Sequence, residues 1–170
     1  MNLNALHKLS YGMYIVASHK GEKLNGQIAN TVFQITSEPP TVAVSINKQN
    51  LTHEYIKASQ VFSASILCQA TPLPFIGGFG FKSGRDTDKL QGKDYKVGIT
   101  GSPIFLDNAT AYLEAEVIRD VDAGTHTIFI GKVVAAEILT EDPCMTYEYY
   151  YQVKRGTTPK TAPNYIAKEK

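Results

Sequence analysis

Two long runs near the C-terminal half, "ATAYLEAEVIRDV" (residues 109–121) and "THTIFIGKVVAAEIL" (residues 125–139), constrain this chain most. Both are rich in β-branched and aromatic residues, and a turn at Asp122-Ala123-Gly124 joins them. Such a pair reads as a long β-hairpin, which commits the chain to antiparallel pairing. Shorter strand candidates precede it: "MYIVAS", "NGQIANTVFQIT" taken as one strand, "TVAVSIN" and "VFSASIL". "SEPP" breaks the chain between the second and third, because proline cannot donate a ladder hydrogen bond.

Two short helices are expected. "LTHEYIKAS" follows Asn50, with Asn50 or Thr52 as its cap. "TPLPFIGGFGF" starts with Thr71 as cap and Pro72 in the first turn, and its glycines at 77, 78 and 80 should end it. The opening "NALHKLSYG" can form one further helical turn stopped by Gly12. Without regular alternation of strands and helices, these elements predict a mainly β, antiparallel barrel built as one domain over residues 1–170. The end, "GTTPKTAPNYIAKEK" (residues 156–170), is too polar for a core of its own and is expected to lie on a second subunit.

Composition closes off several functions. A net charge of +1, with scattered lysines, argues against nucleic-acid binding. No apolar run reaches membrane-spanning length and the start lacks a signal-peptide core, so a cytoplasmic location is expected. Cys68 and Cys144 are 76 positions apart and no histidine stands at ligand spacing, so neither a disulfide scaffold nor a metal site is expected. "GGFGFKSG" fails as a phosphate loop, because Phe81 stands before Lys82 where glycine is required.

Three features carry chemistry. "SINKQNLTHEY" gathers Ser45, Asn47, Lys48, Asn50 and Thr52 where a strand meets a helix start, and unpaired N–H groups there suit a phosphate. A plain capped helix with an exposed lysine accounts for the same residues. The loop "SGRDTDK" adds Ser83, Arg85 and Lys89. Asn30-Thr31, in the middle of an apolar run, needs either a cross-strand partner or a ligand with a fixed polar edge. His126 stands at the mouth of a strand otherwise built for burial.

In order along the chain, "YGMYIV", "NGQIANTVFQITSEPP", "VSINKQNLTHEYI", "FGFKSGRDTDK" and "DAGTHTIFIGKV" resemble the flavin reductase-like FMN-binding split barrels, especially their ferric reductase and flavoredoxin members. The resemblance runs from about Leu6 to Tyr165 and implies a homodimer that holds FMN near the subunit interface. It would place Asn30, Thr31, Ser45 and Asn47 along the isoalloxazine and ribityl chain, with Lys48, Asn50, Thr52 and Lys89 around the phosphate. His126 would sit as the catalytic residue where a nicotinamide docks, and Tyr165 would reach the site from the tail. Gly124-Thr125-His126 departs here from the Gly-Asp-His common in that family. The implied activity is hydride transfer from NAD(P)H to FMN, then electron transfer to a ferric chelate, a flavin or a redox protein. The alternatives are an FMN electron carrier reduced by a protein partner, and a flavin-storage module.

Overall fold

The computed structural model describes residues 1–165; the last five positions of the tail lie outside the described residues. After a 3-10 turn over Leu3–Lys8 come β1 (Tyr14–Lys20), β2 (Lys23–Ala29), β3 (Val32–Ser37) and β4 (Pro40–Asn47). Then follow α1 (Leu51–Ser59), β5 (Val61–Leu67), α2 (Leu73–Gly80), β6 (Tyr95–Val97) and β7 (Pro103–Phe105). The long hairpin is β8 (Ala109–Ala123) with β9 (His126–Ile138), and α3 (Tyr147–Gln152) precedes the tail. Among the described residues no helix is long and apolar enough to cross a membrane.

Seven strands form one antiparallel sheet in the order β2-β1-β5-β8-β9-β4-β3. Its edge strands, β2 and β3, are consecutive in the chain and separated only by Asn30 and Thr31. A flat sheet of this width would hold its edges roughly 29 Å apart, whereas the step from Ala29 to Val32 spans at most about 11 Å. The sheet must therefore curl until its edges approach. They do not hydrogen-bond to each other, so the barrel is open at this seam.

The expected single strand over "NGQIANTVFQIT" is in fact β2 and β3, divided where the polar pair stands. Curling explains the division, because the chain leaves one edge of the barrel and joins the other at Asn30-Thr31. Inside the barrel, Val16, Val44, Ile46, Phe62, Ala64, Ala115 and Phe129 pack together with Ile56 of α1. Gly131 is needed there, since a Cβ would lie 2.8 Å from both Ala115 Cβ and the Phe62 ring. On the other face of β1, Ile15 and Ala17 join Phe79, Phe105, Met145, Tyr147 and Tyr150 in a second core. Burial on both faces accounts for the unbroken apolar run of β1.

The helices differ from expectation in two ways. Gly77 and Gly78 lie inside α2, which runs on to end at Gly80, and Pro72 stands at the N-cap. Each interior glycine costs about 1 kcal/mol, but Ile76 and Phe79 are buried, and the Phe79 ring meets Phe105 edge-on at 4.8 Å. Thr71 turns back instead, its hydroxyl donating to Cys68 O at 2.7 Å. The unexpected α3 is a run of aromatic residues with low helix propensity. It stands because Tyr147 and Tyr150 are buried and Thr146 Oγ1 accepts the Tyr149 N–H at 3.1 Å.

Candidate functional site

Beside the barrel seam lies a cavity of about 620 Å³, walled by β2, the end of β4, the start of α1, the segment after α2, Tyr147 and the tail. Asn25 and Gln27 reach it from β2, two positions apart and so on one face of the strand. The chain turns from β4 into α1 through Asn47, whose Oδ1 accepts the Gln49 N–H at 2.9 Å. Asn50 caps α1 with its backbone alone, and no side-chain bond covers the first turn. The leading N–H groups of α1, next to Asn50, Leu51 and Thr52 of the wall, therefore present positive potential to the cavity.

Thr52 is fully buried, and its Oγ1 accepts from Asn25 Nδ2 at 2.7 Å. Its own hydroxyl proton has no acceptor among the described hydrogen bonds. Gly84 closes this corner so tightly that a Cβ there would overlap the Asn25 carboxamide. The same wall carries Lys89, 8% exposed, whose Nζ donates to Phe79 O at 3.0 Å. Burial pulls its ammonium down to about 8 from an ordinary value of 10.5, because the charged form loses water without gaining an anion. Of the three donors of that ammonium, one is met among the described residues. Gln27 Oε1 is likewise buried with no partner among them.

The structure brings Asn30, Ser45, Asn47, Asn50, Thr52, Lys89 and Tyr165 together around this one cavity. Three other expected residues stand elsewhere. Thr31 donates to Asn30 Oδ1 at 3.0 Å and lines a neighbouring apolar groove. Lys48 pairs with Asp122 of the hairpin turn at 2.7 Å. His126 has Nδ1 2.9 Å from Thr125 Oγ1 and Nε2 3.2 Å from the carbonyl of Thr161, a tail residue of the cavity wall. The tail, expected against a second subunit, lies in the single chain across its own cavity. Asn164 Oδ1 accepts from Asn30 Nδ2 at 2.8 Å, and Thr158 Oγ1 lies 2.9 Å from the Tyr147 hydroxyl. Burial carries the Tyr147 phenol beyond its ordinary range, so it stays protonated.

Sequence reasoning passed over Asn25, Gln27 and Tyr147. Two carboxamides at alternate positions in "NGQIAN" were the available signal for the first pair. Tyr147 had none, because its place depends on how α3 docks.

The sequence matches the flavin reductase like domain over residues 6–157. It is 58% identical over 171 aligned positions to the high molecular weight rubredoxin of Moorella thermoacetica, covering all of this chain and 75% of that protein. It is 46% identical over 166 positions to the ferric-chelate reductase (NAD(P)H) of Archaeoglobus fulgidus, covering 98% of each. Among solved structures, the FMN-binding protein from Thermus thermophilus superposes with a TM-score of 0.75 at 28% identity, over 83% of each chain.

Proposed function

This chain belongs to the flavin reductase-like domain family, and from that we propose that it binds FMN in the cavity and catalyses its reduction by NAD(P)H. A single observation carries this reading. The bare first turn of α1 and the underpartnered ammonium of Lys89 face the same cavity, which has the size of a cofactor site. Phosphate is the group that answers both, since N–H donors and a cation bind it through charge-assisted hydrogen bonds. The unpartnered Gln27 Oε1 calls for a donor, which the polar edge of a flavin has. The residues present therefore fit FMN.

Thr52, Lys89 and Asn50 would hold the phosphate, and Lys48 joins them only by exchanging Asp122 for it. Asn30, Ser45, Asn47 and Gln27 would bind the ring and ribityl oxygens, with Thr31 fixing the Asn30 carboxamide from behind. Bound there, FMN supplies hydride acceptance and release of electrons singly or in pairs. The protein's share is to bind, orient and exclude water, and the tail over the cavity serves the last of these. The NAD(P)H and ferric chelate in the name of the Archaeoglobus fulgidus relative support a nicotinamide donor and a ferric chelate acceptor; a flavin or a redox protein is the other class of acceptor. A homodimer also belongs to this proposal. Edge strand β3 exposes Phe33 and Ile35, and such an edge asks for a covering surface.

Mixing the FMN-loaded protein with NADH or NADPH without oxygen tests the reading. Loss of the oxidised-flavin absorbance at turnover speed is expected with at least one of them. Bleaching by a reduced redox protein alone would make the protein a carrier and overturn the proposal.

His126 would position the nicotinamide, which requires the Thr161 carbonyl to release Nε2. His126→Ala should then keep FMN bound and slow hydride transfer, read by stopped flow, on the order of ten- to a hundredfold. A wild-type rate would limit His126 to holding the tail.

A further inference from the structure

Cys68 and Cys144, far apart in sequence, are backbone partners in an isolated antiparallel bridge between the end of β5 and the segment before α3. The flanking bonds fix its kind. Met145 N–H donates to Leu67 O at 2.8 Å and Gln69 N–H to Pro143 O at 2.9 Å, so the cysteines form a non-hydrogen-bonded pair. In such a pair the Cα atoms stand about 4.5 Å apart with both side chains on one face, within the span a disulfide bridges. Both cysteines are free thiols. Each is turned to a threonine, Cys68 Sγ 3.7 Å from Thr71 Oγ1 and Cys144 Sγ 3.5 Å from Thr110 Oγ1. A rotation about Cα–Cβ in each would turn the sulfurs towards each other.

Their exposure is unequal, as a two-step exchange requires. Cys68 is buried, whereas Cys144 is exposed and borders a groove of about 650 Å³ shared with Tyr14, Phe33 and Met145. We propose that Cys68 and Cys144 form a redox-active cross-strand dithiol, oxidised to an intramolecular disulfide by a low-molecular-weight disulfide entering this groove. The Cys144 thiolate attacks one sulfur of that disulfide and expels the other as a thiol. The Cys68 thiolate then attacks Cys144 Sγ in the mixed disulfide and expels the second thiol. Two protein thiols are oxidised, one external disulfide is reduced to two thiols, and the two protons leave with them. The bond would tie β5 and the entrance to α2 to the segment that carries Tyr147 of the cavity wall.

Incubating the purified full chain with glutathione disulfide tests this by intact mass. The wild type should lose the mass of two hydrogens, stay monomeric in covalent terms and lose both titratable thiols. Its melting temperature should rise by roughly 5–15 °C, reversibly on reduction. Cys68→Ser should instead stop at a glutathione adduct on Cys144, for lack of the resolving thiol, and Cys144→Ser should stay unmodified. A wild type that accumulates the glutathione adduct, links covalently to a second chain or keeps both thiols would overturn the proposal.

Discussion

Lys89→Met should raise the thermal stability of the flavin-free protein while weakening FMN binding by about one to two powers of ten. Both effects come from one buried ammonium. In the unfolded chain Lys89 keeps its proton to about 10.5, but in the folded protein it releases it from about 8. Between those values the unfolded state binds more protons, so this residue's contribution to stability rises with pH across that window. Below about 8 the folded state carries the whole desolvation cost, about 3 kcal/mol at 1.36 kcal/mol per pH unit. Methionine removes that cost at neutral pH and gives up the bond to Phe79 O, worth about 1 kcal/mol. A net gain of about 2 kcal/mol should lift the melting temperature by roughly 4–8 °C. Binding moves the other way. A charge-assisted bond to phosphate contributes roughly 1.5–3 kcal/mol, which corresponds to the stated loss in affinity. Wild-type affinity should also fall from about pH 8 upward, because binding must then recapture a proton, and the variant should lack that fall. Melting curves without flavin and fluorescence titrations with FMN at neutral and alkaline pH measure all three. An unchanged dissociation constant would remove Lys89 from the phosphate site.

What was legible in the sequence follows from which interactions are local. β5 lies on "VFSASIL" to the residue, because alternation and β-branched residues act within the strand itself. The α1 start was legible for the same reason, since Asn50 and the residues beside it are neighbours in sequence. Asn30-Thr31 showed as a polar interruption, but whether it kinks one strand or parts two depends on the curl of the whole sheet. Its partner, Asn164, stands 134 positions away. Lys89 could be seen as a loop cation, yet its burial comes from packing against the end of α2. Lys48 looked like a phosphate ligand because Asp122 comes near it only once β4 and β9 pair. The cysteines are the plainest case. Their spacing spoke against a metal site and a disulfide scaffold, and only the register of the bridge sets them opposite each other.

Ending the chain after Gly156 should weaken FMN binding by on the order of a hundredfold while the barrel still folds. The core supports the second half of this expectation. Gly156 N–H donates to Tyr150 O at 3.0 Å, closing α3 before the tail begins, and every residue of the two cores precedes it. Thr157 exchanges hydrogen bonds with the Tyr150 hydroxyl of α3, and beyond it the tail lies along the cavity. Thr158 meets Tyr147 as well as Tyr151, Asn164 meets Asn30, and Pro159, Ala162, Pro163 and Tyr165 complete the wall, while Thr161 latches to His126, which stands outside that wall. Uncovering roughly 100 Å² of apolar ring surface costs about 2.5 kcal/mol, which is nearly two powers of ten in the dissociation constant. The exposed flavin should also reoxidise faster, since water and oxygen reach it. His126 gives a control. His126→Ala cuts one latch of the tail and should move affinity far less than the deletion does, so a variant as weak as the truncated chain would place the closure in that one hydrogen bond. Size-exclusion chromatography of the same samples identifies the cavity the tail serves. A truncated chain with unchanged association state and weakened flavin assigns the tail to its own subunit, as the single chain shows it. Loss of association together with flavin assigns it to the interface, and full retention of both overturns the covering role.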